Sequence, residues 1–345
     1  MESDKARGAG PMAKRVNITD VAKLAGVSTA TISYYLNGRY EKMSEATRKR
    51  IAKTIAETGY VPNAQARVLG NKATGVIAVI ICNIANNWAG EVLRGMESVA
   101  TEHGYQTIVC DTVFDPKSER LCIEKMLSLG VDGFVIQPTG QVRGIRDRLS
   151  KAGKPVVFYD YSPFDMSGHW VKTNLYDAFY SSVTECADRG YEEFVILAAD
   201  ASGARTRLER LQGIEDALSA RNLPYGVVPI SHDGPSVEEL SHYFQYNLNP
   251  ARRTLLVCPH QWALNRIYEA MKPFMHLVPQ RIGILGIDNA SWTTLVTPSV
   301  TTITEPVWEE GALAFRMLVS QLEGKADVPA QKVMECTTHW LGSTL

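Results

Sequence analysis

Residues 18–37, ITDVAKLAGVSTATISYYLN, restrict the fold more than any other stretch of this 345-residue chain. Val21, Ala22, Leu24 and Ala25 recur at three- and four-residue steps. They put one apolar stripe on a helix too short to stand alone, so a partner helix must cover it. Thr19 offers an N-cap hydroxyl, and Gly26 ends the helix where a left-handed residue costs little. Ser28 then caps a second helix. Its Ile32 and Leu36 point inward, while Thr29, Ala30, Ser33 and Tyr34 form an outer face of small polar groups and one aromatic ring. Two short helices joined through Gly26-Val27 make a helix-turn-helix, whose second helix presents its N-terminal side chains to base edges in the DNA major groove. Ser44 and Glu45 open a third helix, and its stripe of Ile51, Ala52 and Ile55 closes a three-helix core. GYVPN at 59–63 stops that helix and caps a small fourth one, Ala64 to Leu69.

Charge divides the chain in the same place. Residues 1–72 carry 13 Lys or Arg against 6 Asp or Glu, while the whole chain has 36 against 37, so a basic head is joined to an acidic body. That polarity suits a module that holds phosphate, tethered to one that stays in solution. The six cysteines include no CxxC pair and no His at zinc spacing, and they read as thiols of a reducing compartment, with no structural metal. No apolar run reaches membrane length, and the N-terminus lacks a hydrophobic signal core, which sets the expectation of a cytoplasmic protein. Residues 1–15 read as a flexible leader.

From Gly75 short apolar runs alternate with helical stretches. The runs at 76–81, 107–110, 133–136 and 155–158 form one series, and those at 194–197, 225–230, 254–258 and 282–287 a second. Runs of this kind fit parallel strands buried on both faces. The expected fold is an all-α helix-turn-helix head plus hinge helix, joined to an α/β core of two doubly wound lobes. Ligands bind such lobes at the carboxyl ends of the strands.

AGVSTATISYYLNG, SEATRKRI and GYVPNAQARVLG in the head resemble the DNA-binding head and hinge helix of the LacI/GalR family of bacterial transcription regulators. ILGIDNASWTTLVTPSVTTITEPVWEEGALA is similar to the late signature of the same family's effector-binding core, itself shaped like a periplasmic sugar-binding protein. The resemblance covers Ile18 to about Thr338. It implies a DNA-binding domain at 16–62, a hinge helix and linker at 63–74, and an effector-binding and dimerisation core at 75–345. It also implies three crossings between lobes, near 160–162, 303–305 and 332–336. The N-lobe then takes 75–161 and 305–331, and the C-lobe 162–304 and 332–345.

By the same resemblance, base reading falls on Thr29, Ala30 and Tyr34; for Tyr34 a surface ring that stacks on a sugar is the alternative. Many relatives have Arg where this chain has Tyr34, so a bidentate guanine contact is lost there and the operator should differ. Ser28, Thr31, Ser33 and Asn37 suit phosphate oxygens, and Thr19, Asn63 and Ala66 belong to the same DNA-contacting set. Leu69, on a polar hinge, matches the family residue that wedges into the minor groove; a leucine at the dimer contact is the alternative. Trp88, Asp160, Arg210 and Asp288 match the effector cleft. Trp88 is either a stacking wall or a core residue, and Asp288 either a ligand acceptor or a strand-end cap. Pro259-His260 stands where relatives often have Asn-Asp, so His260 is expected to replace an amide contact.

These readings point to a dimeric repressor that binds double-stranded operator DNA and answers to a small carbohydrate effector. A sugar acid is favoured by Arg205, Arg207 and Arg210, and by the likeness of YEKMSEATRKRI to the subgroup controlling breakdown of acids such as 2-keto-3-deoxygluconate. A solute-binding protein of similar fold, or a regulator answering to a nucleobase, are the alternatives. No catalytic residue, metal or cofactor is assigned, because His260 has no nucleophile motif, paired acid or phosphate loop beside it. The sequence closes at Thr344-Leu345 without a leucine-heptad tail, which sets the expectation of a dimer and not a tetramer.

Overall fold

The structure, a computed structural model, describes residues 16–36, 38–61, 73–140, 142–161, 167–200, 205–231, 234–249 and 251–345. It divides into two compact units, 1–74 and 75–345. The leader, Asn37, Asn63, Ala66, Leu69 and the hinge helix lie outside the described residues.

In the first unit α1 (Ile18–Leu24), α2 (Thr29–Leu36) and α3 (Glu45–Thr58) enclose Val21, Ala22, Ala25, Ile32 and Ile51. The cap of α1 is Asn17, not Thr19. The Asn17 side chain accepts from the N–H groups of Thr19 and Asp20, and Asp20 accepts the Asn17 N–H in return. This reciprocal box satisfies more backbone donors than a single hydroxyl would, and it leaves Thr19 exposed in the first turn. Leu24 is also solvent-facing, at 65% exposure, because the stripe of so short a helix narrows to Val21, Ala22 and Ala25. Ser28 and Ser44 cap α2 and α3 as expected, and Gly26 and Gly59 take left-handed φ values of 62° and 59° at the turns.

The second unit holds two six-stranded sheets. The first is built from β1 (Val76–Ile81), β2 (Gln106–Asp111), β3 (Gly133–Ile136), β4 (Val156–Tyr159), β5 (His169–Thr173) and β11 (Gln331–Met334), ordered β11-β5-β4-β3-β1-β2 and parallel throughout. The second is built from β6 (Glu193–Ala198), β7 (Tyr225–Pro229), β8 (Thr254–Cys258), β9 (Ile282–Ile287), β10 (Thr301–Thr304) and β12 (Thr337–His339), ordered β12-β10-β9-β8-β6-β7. Among its described pairs only β10 with β12 is antiparallel. The first sheet is flanked by α4 (Asn87–Glu102), α5 (Pro116–Leu129), α6 (Val142–Lys151) and α12 (Val307–Glu323). Packed about the second are α7 (Leu175–Asp188), α8 (Arg205–Ser219), α9 (Val237–Asn247), α10 (Gln261–Met271) and the short α11 (Trp292–Leu295).

One crossing differs from expectation. β5 pairs with β4 and β11 with β5, so the chain leaves the first lobe after Thr173 rather than near 160–162, whereas its last passage to the second lobe, after Met334, falls within the expected 332–336. HWVKT has no continuous apolar run, and its place is set by strand pairing that the local pattern does not encode. The middle crossing falls between β10 and α12, at Glu305-Pro306, close to where it was expected.

Close packing of α4 on α12 anchors the first lobe. A side chain on Gly95 would collide with the Trp308 carbonyl, and one on Gly311 with the Val92 carbonyl, so the two backbones approach where only glycine fits. Gly311→Ala should therefore destabilise the core by about 1–3 kcal/mol. Urea unfolding followed by tryptophan fluorescence checks this, and a loss below about 0.5 kcal/mol would show that the crossing relaxes freely.

Candidate functional site

The facing ends of the two sheets enclose a cavity of about 480 Å³. The first lobe contributes Ala85, Asn86, Trp88 and Glu91, at the start of α4. The second contributes Gln261, Trp262 and Asn265 from α10, and Asp288 to Trp292 from the loop after β9. Three indoles and a set of amides line it, a surface suited to an apolar ring face with hydroxyls around its edge. A smaller recess of about 60 Å³ lies between Cys82, Phe114, Gln137, Asp160 and Tyr161 of the first lobe and Arg205 and Thr206 of α8.

Trp88 belongs to the first-lobe core, where its ring stacks on Tyr159 at 6.0 Å and 10°, and it also lines the larger cavity. Asp288 immediately follows β9, at the end of the ILGID run. It lines the cavity, and it caps the strand end: Oδ1 accepts the Ala290 N–H and Oδ2 the Trp292 indole N–H, each at 2.9 Å. Burial pushes its carboxyl upward, opposed by the hydrogen bonds from Ala290 and Trp292.

Asp160 follows β4 with φ +44°, in the left-handed region that costs a non-glycine residue conformational energy. Val113 and Phe114, beside the same recess, also have positive φ, at 49° and 56°. The Gln137 side chain donates from Nε2 to Asp160 Oδ2 at 2.7 Å while its Oε1 accepts the Cys82 N–H at 2.9 Å. Burial raises the Asp160 carboxyl to about 7; Glu305 adds to the rise, and Arg210 and Gln137 work against it.

Arg210 is more committed than its sequence position implied. Nη1 donates to the Pro259 carbonyl at 3.1 Å, Nη2 stands 3.8 Å from Glu305, and Nε is buried without a partner. His260 does not line either cavity. It is 2% exposed, its Nε2 accepts the Ala199 N–H at 2.9 Å, and its ring stacks on Trp262 at 5.1 Å. The residue braces the ends of β6 and β8 instead of replacing an amide contact.

Glu305, absent from the sequence-based set, organises this region. Oε1 accepts from Thr173 at 3.0 Å and Oε2 from Gln261 at 3.0 Å, and Asn289 donates to its carbonyl while accepting its N–H. The DNASW run after β9 and the HQW run after β8 were the available signals for Asn289, Trp292, Gln261 and Trp262. Nothing local marks Glu305, whose partners come from distant segments. Among the described residues no cluster of His, Cys, Asp and Glu is arranged to hold a metal.

In the head, Ser28, Thr29 and Ala30 are exposed, Thr31 and Ser33 half-buried, and Tyr34 is exposed. The Ser28 hydroxyl is engaged at the cap of α2, 2.9 Å from the Thr31 hydroxyl. Arg48 lies over the Tyr40 ring at 3.8 Å, fixing the turn that precedes α3. No helix of the described residues is long and apolar enough to cross a membrane.

Residues 17–63 match the model of bacterial regulatory proteins of the lacI family. Residues 74–238 match that of periplasmic binding proteins and the sugar binding domain of the LacI family, and 183–344 a periplasmic binding protein-like domain. The chain is 28% identical over 335 residues to the HTH-type transcriptional regulator PtxS of Pseudomonas aeruginosa, covering 95% of this chain and 97% of that protein. It is 27% identical over 322 residues to the HTH-type transcriptional regulator KdgR of Bacillus subtilis, covering 90% and 93%. Among solved structures, the Lac repressor dimer bound to operator and the anti-inducer ONPF superposes with a TM-score of 0.81 at 20% identity, over 96% of this chain and 100% of that one. A helix-turn-helix head followed by two parallel-sheet lobes that face each other across a cleft, together with these matches, places the chain in the LacI family of bacterial transcriptional regulators.

Proposed function

We propose that the protein is a dimeric, cytoplasmic repressor, a regulator and not an enzyme, whose affinity for operator DNA is set by a small carbohydrate in the inter-lobe cleft. The observation that carries this reading is the 480 Å³ cavity lined by Trp88, Trp262 and Trp292 with Asn86, Gln261, Asn265 and Asp288, in a chain whose other unit is a basic helix-turn-helix. Stacking on indoles and hydrogen bonding to amides together fit a polyhydroxylated ring. A second copy of the chain is the natural cover for the edge strands, where Ile108 and Val109 on β2 and Tyr225 and Val227 on β7 are exposed.

On DNA, Thr29, Ala30 and Tyr34 are assigned to base edges. Thr19, Ser28, Thr31, Ser33, Asn37, Asn63 and Ala66 are assigned to the backbone, and Leu69 to a minor-groove wedge. For the effector, the lining of the larger cavity includes Glu91 and Asp288 but no Lys or Arg, so a sugar acid would direct its carboxylate toward Arg205 at the smaller recess. Trp88, Asp160, Asp288 and the Nε donor of Arg210 complete that set of contacts.

A site selected from random duplexes should be near-palindromic. Affinity should fall about a hundredfold or more between 50 and 200 mM salt, since each neutralised phosphate contributes about −0.9 to the log-log slope. Flat affinity over that range would defeat the docking of the head on phosphate. For the effector, matched pairs of sugar acid and parent sugar in a thermal-shift assay should favour the acid, with a compound at 100 times its dissociation constant adding about 2.7 kcal/mol. Arg205→Ala should remove the preference. Tighter binding of the parent sugar would defeat the acid while leaving a neutral carbohydrate in place.

A further inference from the structure

Glu310 stands in the first turn of α12, is 1% exposed, and belongs to none of the contacts assigned to DNA or effector. Its Oε1 accepts the backbone N–H of Asp160 at 3.0 Å, across 150 residues of sequence, and its Oε2 is buried without a partner. Asp160 is the cleft residue whose backbone sits at φ +44°, a conformation that persists only where the surroundings hold it. We propose that Glu310 is the positioning residue of the cleft: it fixes Asp160 in its left-handed conformation, and a proton kept within the Asp160 and Glu310 pair ties the state of the cleft to pH. The inference rests on the effector-cleft reading for its consequence, although its observables need no effector.

The charge balance around the pair supports this. Asp160, Glu305 and Glu310 gather about Arg210, whose Nη2 is 3.8 Å from Glu305, while Arg207 of α8 also faces Asp160 and Arg205 lines the same recess, so the positive charge lies on the Asp160 side and Glu310 Oε2 has no partner. Glu209 of α8 adds a further negative field at Asp160, and Lys172 at 2.5 Å holds that carboxylate. Tyr159, Cys82 and Cys336 also face the cluster and contribute no positive charge. An ionised carboxylate with one oxygen buried and unpaired costs far more than the neutral acid, so the pair takes up a proton instead of accumulating charge. Burial first, then Asp160 and Glu305, push the Glu310 carboxyl well above the usual range.

The sign follows from linkage. In the unfolded chain both carboxyls ionise near pH 4, as free side chains do. In the folded chain they hold protons to higher pH, so the folded state binds more protons than the unfolded one across the interval between. Stability therefore falls as pH rises through that interval, and each retained proton raises the unfolding constant about tenfold per pH unit. The two groups titrate as a unit.

The test uses the full chain, unfolded in urea at closely spaced pH values from 5 to 7 and followed by the fluorescence of its 6 tryptophans, all of which lie in 75–345. Glu310→Gln keeps the oxygen that accepts from Asp160 and removes the titration. It should lower the slope of log unfolding constant against pH by about one. Glu310→Leu should lower it equally, and should also speed hydrogen exchange of the Asp160 amide tenfold or more, which the Gln variant should not. A merely structural role for Glu310 would shift stability at every pH alike. A wild-type slope in Glu310→Gln, whether or not the Leu variant folds, would overturn the proposal, as would wild-type Asp160 exchange in a folded Glu310→Leu. Failure of the effector reading would show separately, as no carbohydrate stabilising a core that still displays the slope.

Discussion

Glu305 stands where the chain passes from the second lobe back to the first, and its side chain is held from both sides. Thr173, at the last residue of β5, donates from the first lobe, while Gln261 donates from the second and Arg210 approaches from α8. Its backbone exchanges two hydrogen bonds with the Asn289 side chain, so the loop after β9 is tied to the same point. A carboxylate so buried is tolerated only with such partners, and removing any of them would leave charge or a polar group uncompensated. The cleft is built around this junction: Asp288 comes from the Asn289 loop and Trp292 from the short helix that follows it, Trp262 from the helix that starts at Gln261, and the Asp160 N–H is held by Glu310 in the first turn of α12.

Much of this architecture is legible in the sequence where the determinants are local. The head can be read because caps, apolar spacing and two left-handed glycines fix three short helices. It misleads only where local options compete, as when Asn17 and Asp20 form a reciprocal box and displace Thr19 from the cap. The strands at 76–81 and 282–287 are legible because parallel strands covered on both faces must be continuously apolar. β5 is not, since HWVKT takes its place from pairing with β4 and β11.

The site divides along the same line. Trp88, Asp160 and Asp288 follow strands and were accessible to reading strand ends, whereas Glu305 and Glu310 act on partners 132 and 150 residues away. His260 illustrates the opposite error. A histidine after a strand looks like a ligand group, yet the Ala199 N–H and the Trp262 ring account for its position inside the second lobe.

Allosteric control requires that one compound have different affinities for two arrangements of the lobes, and that the arrangements have different affinities for operator. The most direct test is to titrate a panel of sugars and sugar acids against the full chain, reading core stability and operator affinity on the same samples. The account predicts that compounds stabilising the core change operator affinity by roughly 5–150-fold, the usual range of coupling between sites. Compounds that stabilise the core and leave operator affinity unchanged would contradict it.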